Sequence, residues 1–424
     1  MILFKGCLFP DEKMDDILAQ LWDFCIHSIE NRADISEKVI AACGQIADKI
    51  RSGAYDDILE PLLRKGTFSM QQMEEAIAYF DKENLTIKYQ TQLGVLKQYC
   101  SEERRLEPLG ILFHIAAGNA EGLPFYSVLE GMLAGNINIL KLPSMDDGLS
   151  VMLLYEMIQI EPVLADYVCV LDVPSSNLKV MKQLADMADA IVVWGGDEAV
   201  LAARAMADAC TQIISWGHKL SFAYVTPQMF ESTDECGGRE ELYALARHIC
   251  ETRQVLCSSC QGIFVDTDDM KIIWEAGETF VKILEEVSAE FPQETIGIRG
   301  KMTISLYNEE LEAKKSGRKI FRQKGVSVIA SSDHELELSY MFKNCYIKPL
   351  PRRELVRALK GKKGYLQTVG LICAREERKE LVELLTKTGV TRIAHGGNMS
   401  HTASDSAHDG EYPLRRYCKV VEVE

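Results

Sequence analysis

The spacing of hydrophobic residues divides the chain near Leu109. Across residues 10–100, apolar side chains recur every three or four positions, as at Ile17, Leu18 and Leu21. This is the period of a helix with one buried face, so the region is predicted to be a succession of amphipathic helices. It carries no recognisable catalytic pattern, and its aromatic and methionine side chains are interpreted as core or subunit contacts.

Beyond Leu109, short apolar runs alternate with helical patterns. Strands are predicted at residues 110–116, 136–140, 167–173 and 190–194, and helices at residues 123–133, 148–158, 177–187 and 197–210. This alternation is typical of βαβ units, which form a parallel sheet with helices on both faces. Such a sheet binds its ligand at the carboxyl ends of its strands.

A second α/β region follows a loop at residues 226–238. Its predicted elements are strands at 221–225, 262–266, 325–329 and 366–372, a helix from about residue 240, and a helix at 274–288. No internal repeat or low-complexity tract interrupts the pattern. The chain is therefore predicted to be an α/β protein with a helical N-terminal region.

Composition excludes several classes of partner. The 424 residues are 47% hydrophobic and 26% charged, as in ordinary globular proteins, and the length suits two or three domains. A formal charge of -16 argues against a nucleic acid or an anionic membrane surface, because phosphate binding depends on Lys and Arg. No run approaches about 18 apolar residues, so no membrane-spanning helix is expected.

The cysteine content bears on the cellular compartment. The chain has 13 cysteines, and its opening residues lack the basic region, long apolar run and cleavage site of a signal peptide. The cysteines are therefore expected to be reduced thiols, and the protein to be cytoplasmic.

Candidate chemistry is concentrated in residues 253–266. Cys257 and Cys260 flank two serines directly before the short apolar run that is predicted to be a strand. A thiol at the mouth of a strand is a candidate nucleophile for acyl chemistry, because a thiolate both attacks and leaves well.

Two other interpretations of Cys257 and Cys260 stay open on spacing alone. A C-x-x-C pair is also half of a metal site or a redox dithiol. A structural zinc site takes four Cys or His ligands, and no second C-x-x-C or H-x-x-H pair is present, so no metal site is assigned. Either cysteine also fits an unreactive core position, since free cysteine is among the most buried residue types.

Three further features follow predicted strands of the first region. They are a Gly-bearing loop at residues 117–124, a Lys-Leu-Pro-Ser segment at residues 141–144, and a Trp-Gly-Gly-Asp segment at residues 194–197. The third segment opens a predicted helix, so its backbone amide groups and the helix dipole could face a phosphate. Neither a G-x-G-x-x-G fingerprint nor a P-loop is present. Taken singly each feature is a weak signal, because a Gly-Gly before a helix is more often a tight turn than a phosphate site and a lone lysine at a strand end is more often solvated.

Together these features resemble the aldehyde dehydrogenase superfamily, and within it the acyl-CoA reductase (LuxC) branch, from Leu109 to near the C-terminus. In the first region, residues 118–119 resemble the superfamily's Asn-bearing loop, and residues 136–144 resemble its strand ending in Lys-Pro-Ser. Residues 193–198 resemble its Thr-Gly-Ser-x-Glu turn, and residues 217–219 resemble a Gly-Gly-Lys step before a strand. Residues 254–265 resemble its catalytic Gln-x-Cys segment. Residues 366–369 and 408–410 resemble features of the reductase branch itself.

The resemblance implies an aldehyde-dehydrogenase-like α/β fold with a Rossmann-like cofactor domain. The expected domains are a helical region at 1–108 that packs on the cofactor domain, a nucleotide-binding domain at 109–225, a catalytic domain at 226–395, and a C-terminal segment at 396–424. That last segment is expected to return to the cofactor domain or to a subunit interface.

The implied activity is NAD(P)H-dependent reduction of an acyl thioester to an aldehyde. Phe264 and Val265 lie seven and eight residues after Cys257, and this register favours Cys257 over Cys260 as the nucleophile. The Asn119 side chain would stabilise the oxyanion of the tetrahedral intermediate. The acyl donor would be acyl-CoA or an acyl-carrying protein, and a homo-oligomer is expected.

The cofactor-binding residues implied by the resemblance are Lys141, Pro143, Ser144, Trp194, Gly195, Gly196, Ser215 and Gly217. The neutral Ser144 stands where NAD-preferring members carry an acidic residue. A neutral side chain does not repel the 2′-phosphate of NADPH, so NADPH is favoured. A small shift in register would bring Asp146 to the same place, so NADH is the alternative. Ser215 replaces the Glu that activates water in aldehyde dehydrogenases, as suits a reductase. No counterpart to the Glu-x-Phe-Gly-Pro motif is found.

Alternatives from other classes remain. An acyl-phosphate reductase resembling glutamyl-phosphate reductase shares the fold, but its Cys-Asn-Ala-x-Glu segment does not match residues 257–261. A redox or binding protein would use Cys257 and Cys260 as a dithiol. His218 fits either an acid–base role or a packing role, and Cys260 fits either a resolving thiol or an incidental core residue.

Overall fold

A computed structural model of the chain describes residues 1–57, 59–60, 70–116, 122–143, 148–231 and 237–424. The chain divides into two compact units, residues 1–217 with 403–424, and residues 218–402. The domain boundaries expected from the sequence, at 225/226 and 395/396, lie within eight residues of these divisions.

The first unit is built on a seven-stranded sheet of order β2-β1-β6-β5-β4-β7-β8. Its strands are β1 Ile2–Phe4, β2 Cys7–Phe9, β4 Ile111–Ile115, β5 Ile137–Lys141, β6 Val168–Leu171, β7 Ala190–Trp194 and β8 Gln212–Trp216. Strands β4 to β8 pair in parallel, while β1 and β2 add an antiparallel edge. In chain order the parallel strands run 3-2-1-4-5, which is the Rossmann arrangement with its switch point beside the first strand.

The registers of this sheet align the ends of its central strands. Ile115 at the end of β4 lies opposite Lys141 in β5 and Val193 in β7, and Trp194 lies opposite Trp216 in β8. Side chains predicted to bind the cofactor are therefore brought to one edge of the sheet.

Helices of the first unit are α1 Met14–Glu30, α2 Ser36–Arg51, α3 Met70–Ala78, α4 Lys82–Tyr89, a π-helical segment Gln90–Gly94, α5 Val95–Lys97, α6 Leu123–Leu133, α7 Leu149–Ile160, α8 Leu178–Met187 and α9 Asp197–Met206. Helices α6 and α7 follow β4 and β5, and each begins after a glycine with positive φ, Gly122 (+73°) and Gly148 (+90°). Asn177 caps α8 by accepting the Val180 N–H at 3.3 Å. The helical N-terminal region predicted from the sequence is confirmed, with the β1–β2 hairpin as an unpredicted addition.

The C-terminal segment belongs to the first unit. Helix α15 (Pro413–Arg416) leads into β16 (Cys418–Glu422), which pairs antiparallel with β3 (Arg104–Pro108). Residues 403–424 thus complete a unit whose other residues precede position 218.

The second unit contains a seven-stranded sheet of order β11-β12-β13-β10-β9-β14-β15. Its strands are β9 Leu220–Val225, β10 Cys260–Val265, β11 Lys319–Gln323, β12 Val326–Ala330, β13 Asn344–Pro349, β14 Leu366–Ile372 and β15 Arg392–Ala394. All pairs are parallel except β11 with β12. Its helices are α10 Gly238–Thr252, α11 Met270–Ser288, α12 Ile296–Ser316, α13 Leu355–Leu359 and α14 Arg378–Thr388.

Every strand and helix predicted within residues 109–225 is present, with bounds shifted by a few residues. Both sheets carry helices and bury apolar side chains, so the predicted α/β class is confirmed. Across the described ranges, no helix has both the length and the apolar character needed to cross a membrane.

Candidate active site

Cys257 lies at the surface, in the turn between α10 and β10. Its neighbours Val255 and Leu256 are also exposed. Strand β10 begins three residues later at Cys260 and runs between β9 and β13 in the middle of its sheet. The candidate nucleophile is therefore accessible from solvent.

The turn before Cys257 has an unusual backbone. Arg253 and Gln254 are consecutive non-glycine residues with positive φ, at +50° and +61°. Arg253 is held by Glu294 at 2.5 Å, and its carbonyl accepts the Phe342 N–H at 3.1 Å. Such a conformation persists only where the surroundings impose it.

Gln254 supplies much of that constraint. Its side chain is fully buried, and its Nε2 donates to the Cys260 carbonyl at 2.9 Å and to Ser339 Oγ at 3.1 Å. Its Oε1 accepts the N–H groups of Lys343 at 3.0 Å and Asn344 at 3.1 Å. One amide thus ties the turn to the starts of both β10 and β13, a role that the sequence motif did not reveal.

Serine hydroxyls fix the main chain on either side of the thiol. Ser221 Oγ donates to the Cys257 carbonyl at 2.6 Å and accepts the Thr368 N–H at 3.1 Å. Ser259 Oγ accepts the Leu256 N–H at 3.1 Å, and Ser258 Oγ lies 2.8 Å from Ser400 Oγ. The backbone carrying Cys257 is held from both sides, while the residue itself is exposed.

Cys260 has the opposite environment. It is fully buried, its Sγ donates to the Gly262 carbonyl at 3.3 Å, and burial raises the pKa of its thiol to about 12. Its N–H donates to Nε2 of His248, whose pKa is lowered to about 4 by burial, with smaller contributions from His401 and Arg392. Cys260 is therefore a protonated core thiol. Among the described residues, no group of three or more Cys, His, Asp or Glu is arranged to hold a metal.

The predicted cofactor residues of the first unit lie at the carboxyl ends of its strands. Lys141 ends β5 and is 5% exposed; burial lowers the pKa of its ammonium, and Asp172 opposes that shift. Pro143 is buried two residues further on. Asn119 and Ser144, predicted to act on the oxyanion and the cofactor, lie outside the described residues.

Trp194 and Trp216 form an aromatic floor at the ends of β7 and β8. Their rings stack with centroids 5.4 Å apart and an interplanar angle of 30°. Half-buried Ser215 precedes Trp216, and Gly217 follows it. The Gly195 N–H donates to the Trp216 carbonyl at 3.2 Å.

Gly196 is the N-cap residue of α9. A Cβ atom added at this glycine would have no other atom within 4 Å. The open space beside this glycine permits close approach of a ligand. Asp197 and Glu198, however, place two carboxylates in the first turn of α9 and compete with a phosphate for the helix N-terminus.

A buried relay that sequence reasoning missed orients Trp194. The indole N–H of Trp194 donates to Ser127 Oγ at 2.9 Å, and Ser127 Oγ lies 2.7 Å from His114 Nδ1. His114 Nε2 lies 3.0 Å from Asn138 Oδ1, so this nitrogen carries the proton and the serine hydroxyl donates to Nδ1. Burial lowers the pKa of His114 to about 4, which keeps the ring neutral. The sequence signal that could have indicated this relay is the presence of His114 and Asn138 within otherwise apolar strands.

The segment at residues 408–410 joins the same aromatic cluster. The His408 ring lies 5.4 Å from Trp194 and 5.0 Å from Trp216, between ring centroids, and the Arg416 guanidinium lies 4.9 Å from Trp216. His408 and Glu411 pair across a turn in which Asp409 has φ of +51°. The sequence identified residues 408–410 as a feature of the reductase branch but did not predict that they lie beside Trp194 and Trp216.

Comparison with solved structures identifies the fold. The chain superposes on aldehyde dehydrogenase 21 from Physcomitrella patens with a TM-score of 0.68 at 12% identity, covering 98% of this chain and 90% of that one. For a 3,6-anhydro-L-galactose dehydrogenase in complex with NAP the TM-score is 0.67 at 14% identity, covering 97% and 91%. At such identities the likeness concerns the fold alone, and it confirms the predicted aldehyde-dehydrogenase-like architecture.

Sequence relatives point to one branch of that fold. The chain is 25% identical over 332 residues to a long-chain acyl-protein thioester reductase of Vibrio harveyi, covering 76% of this chain and 65% of the relative. It is 25% identical over 329 residues to long-chain acyl-protein thioester reductase 2 of Photobacterium leiognathi, covering 75% and 64%. The matched part spans just under two thirds of each relative's length. The sequence profile of the acyl-CoA reductase (LuxC) family matches residues 36–420, and the chain therefore belongs to that family.

Proposed function

We propose that the protein reduces an acyl thioester to an aldehyde, with Cys257 as the nucleophile and a reduced nicotinamide as the hydride source. The observation that carries the proposal is the contrast between two cysteines three residues apart. Cys257 presents an exposed thiol on a fixed main chain, whereas Cys260 is sealed in the core. Family membership supports the same assignment.

The chemistry follows from thiolate properties. Cys257 Sγ attacks the thioester carbonyl, and collapse of the tetrahedral intermediate expels the thiol of CoA or of a carrier protein, leaving an acyl group on Cys257. Asn119 would donate its side-chain N–H to the oxyanion. A bound reduced nicotinamide supplies the hydride. Loss of the aldehyde returns Cys257 to its thiolate form.

The first unit offers a suitable place for the dinucleotide. Lys141 holds a buried ammonium at the carboxyl edge of a Rossmann-ordered sheet, where a ribose hydroxyl or a phosphate would compensate its desolvation. Gly196 leaves open space at the same edge, beside the aromatic floor. We assign Lys141, Pro143, Ser144, Trp194, Gly195, Gly196, Ser215 and Gly217 to this site. The neutral side chain of Ser144 favours NADPH.

Ser215 supports the reductive direction. It occupies a half-buried position in β8, opposite Val193, where aldehyde dehydrogenases carry a glutamate. A hydroxyl cannot serve as the general base that drives water onto an acyl-enzyme near neutral pH. The acyl group would therefore survive until hydride transfer.

A dithiol redox function is not favoured. Its two thiols would have to meet, but the Cys260 thiol is buried, donates to Gly262 and has a pKa raised to about 12. The acyl-phosphate alternative has no support beyond the shared fold.

The acyl donor and the compartment belong to the same proposal. The names of the relatives indicate acyl groups carried on protein, so we propose an acyl-carrying protein or acyl-CoA as donor. The twelve cysteines in the described parts of the chain form no disulfide bond, which supports a cytoplasmic setting. A homo-oligomer is expected on family grounds.

A steady-state assay tests the proposal. Purified protein is mixed with short-, medium- and long-chain acyl-CoA and with NADPH or NADH, and the loss of near-ultraviolet absorbance is followed together with trapped aldehyde. Cys257→Ala should abolish turnover, whereas the matched Cys260→Ala variant should retain it. Turnover by Cys257→Ala at the rate of the unaltered protein would refute the proposal.

A further inference from the structure

Helix α12 is anchored to the second unit by one of its faces. Leu306 is buried in an apolar cluster with Ile329 and Tyr346. Glu309, one turn further along the same face, is also buried and accepts a hydrogen bond from Arg318 at 2.6 Å. These contacts fix which face of the helix points inward and which points to solvent.

The outward face of α12 carries a regular series of apolar residues and glycines. They follow one another at intervals of three, four, three and four positions, and they are Gly297, Gly300, Ile304, Tyr307 and Leu311. The three large side chains are 48% to 64% exposed. Among the described residues, no atom lies within 4 Å of a Cβ atom added at either glycine. We call these five residues the outer seam; it ends at Leu311, because the next position of the series is Lys314.

The spacing of the outer seam is that of a helix that pairs with another helix. Alternating intervals of three and four residues average 3.5, which is the heptad period of coiled-coil contacts. Single exposed apolar side chains are ordinary on protein surfaces, but here they align along one stripe of a helix. A second helix laid along the stripe would cover all five positions at once.

The charges beside the outer seam select the direction of the second helix. Arg299 and Lys301 lie near the start of α12, and Glu310 and Glu312 lie near its end, all four at least partly exposed. A parallel copy of the helix would bring like charges level with one another. An antiparallel copy brings the two basic residues of each helix level with the two acidic residues of the other, which is favourable.

The apolar positions fit the antiparallel arrangement in one register. With Ile304 level with Tyr307 of a second copy, Gly300 comes level with Leu311 of that copy, because both pairs have the same midpoint on the helix. Each large side chain at the end of the seam then meets a glycine, and the two helices can approach closely there.

The charged positions fit the same register. Arg299 comes level with Glu312 of the second copy, and Lys301 with Glu310, since these pairs share the midpoint of the apolar pairs. Glu310 pairs with Arg322 of its own chain at 3.4 Å, with both side chains 44% to 45% exposed. Such an exposed pair contributes little to stability, so it does not prevent Glu310 from facing a lysine of another copy.

We propose that the outer seam of α12 is a contact between two copies of this chain, in which the two α12 helices pack antiparallel about a twofold axis. The same surface is used by both copies, so the contact is closed and self-complementary. The matching positions of the apolar and charged residues carry the proposal, and they specify a second copy rather than an unrelated partner.

Sedimentation velocity of the full chain tests the contact. Ile304→Glu places a carboxylate in the outer seam without altering the inward face of α12, and it should halve the particle mass by weakening association roughly tenfold or more. Ile87→Glu, at another exposed isoleucine on a helix, is the matched control and should leave the mass unchanged. A chain that stays monomeric at every concentration, as expected if the seam binds a different protein, overturns the proposal. Association of Ile304→Glu as tight as that of the unaltered protein overturns it too.

Crosslinking tests the direction and register of the helices. Gly300→Cys protein and Leu311→Cys protein are mixed, treated with a short bismaleimide and digested, and the linked peptides are identified by mass spectrometry. The unaltered protein, treated alike, shows the links due to its 13 native cysteines. A link between positions 300 and 311 should appear in the mixture. Links from 300 to 300 or from 311 to 311 in its place, or no new link, would contradict antiparallel pairing.

Discussion

At the scale of single residues, the environment of each side chain decides its chemistry. Cys257 and Cys260 are the same residue type in one short motif, and the sequence favoured Cys257 only through a family register. The distinction in the structure is physical, because one thiol is exposed and the other has a pKa raised to about 12 by burial. Burial depends on which elements cover a residue, and local sequence does not encode that.

Gln254 should be essential for the shape of the catalytic turn. Gln254→Ala leaves the N–H groups of Lys343 and Asn344 and the Cys260 carbonyl without partners, and should lower the free energy of unfolding by on the order of 3 kcal/mol. Denaturant unfolding and the rate of Cys257 alkylation measure the effect. Gln323→Ala, on an exposed edge strand, is the matched control and should change neither. Equal behaviour of the two variants would contradict the role of Gln254.

Two buried histidines should make the protein sensitive to mild acid. The pKa values of His114 and His248 are lowered to about 4 from 6.5, so the unfolded chain takes up their protons first as pH falls. The stability due to each neutral ring is complete above pH 6.5 and is lost progressively toward pH 4, by about 3 kcal/mol per ring. Unfolding free energies across this range should fall more steeply for the unaltered protein than for His114→Gln. Identical pH slopes would count against the buried neutral ring.

At the scale of elements, hydrophobic patterns found most of the parallel strands but missed the parallel strand β13, which contains a buried charge. Strand β13 includes Lys348, which is 2% exposed and bound to Asp333 at 2.6 Å and to Glu337 at 2.5 Å. A lysine inside a strand suggests a surface position until its partners are known. These acidic residues lie on a neighbouring loop, so sequence periodicity could not identify the pairing.

Replacing Lys348 should lower the free energy of unfolding more than replacing an exposed lysine does. Although burial raises the pKa of the Asp333 carboxyl, hydrogen bonds from Lys348 and Ser331 lower it to about 2. Lys348→Ala leaves this partly buried carboxylate without its main partner. A loss of roughly 2 to 3 kcal/mol is expected, because Lys348 is buried but the side chains of Asp333 and Glu337 are 37% and 38% exposed. Lys362→Ala, which breaks a pair with Glu335 at 3.3 Å, should cost under about 1 kcal/mol. Similar unfolding midpoints for the two variants would be inconsistent with this account.

The relay beneath Trp194 should affect cofactor affinity more than turnover. Ser127→Ala removes the acceptor for the Trp194 indole, so the ring should lose its fixed orientation and the KM for NADPH should rise several-fold with a smaller change in kcat. Ser52→Ala, which removes an exposed hydroxyl at a helix end, serves as control. An unchanged KM in Ser127→Ala would show that the relay does not position the ring.

At the scale of the whole molecule, the order of strands and helices was readable from the sequence, but the partnership of distant segments was not. The pairing of β16 with β3 joins residues about 310 positions apart, and nothing local predicts it. The sequence left residues 396–424 with two possible destinations. In the structure, residues 403–424 belong to the first unit.

Deleting residues 403–424 should therefore weaken the first unit selectively. Hydrogen exchange should accelerate in β3 and α6, which lose β16 and the buried Tyr417, while β9 and β10 keep their protection. Deletion of Glu424 alone, which lies beyond β16, is the control. Equal acceleration in both units would argue against the division at residues 217 and 402.

The central claim is that Cys257 carries the acyl group. The most direct measurement is intact and peptide-level mass spectrometry of the protein after incubation with acyl-CoA, first without and then with NADPH. The account predicts one acyl adduct on the peptide containing Cys257, at Cys257 itself, and its disappearance as aldehyde forms on addition of NADPH. An adduct on Cys260 or on another side chain, or an adduct on Cys257 that NADPH never discharges, would contradict it.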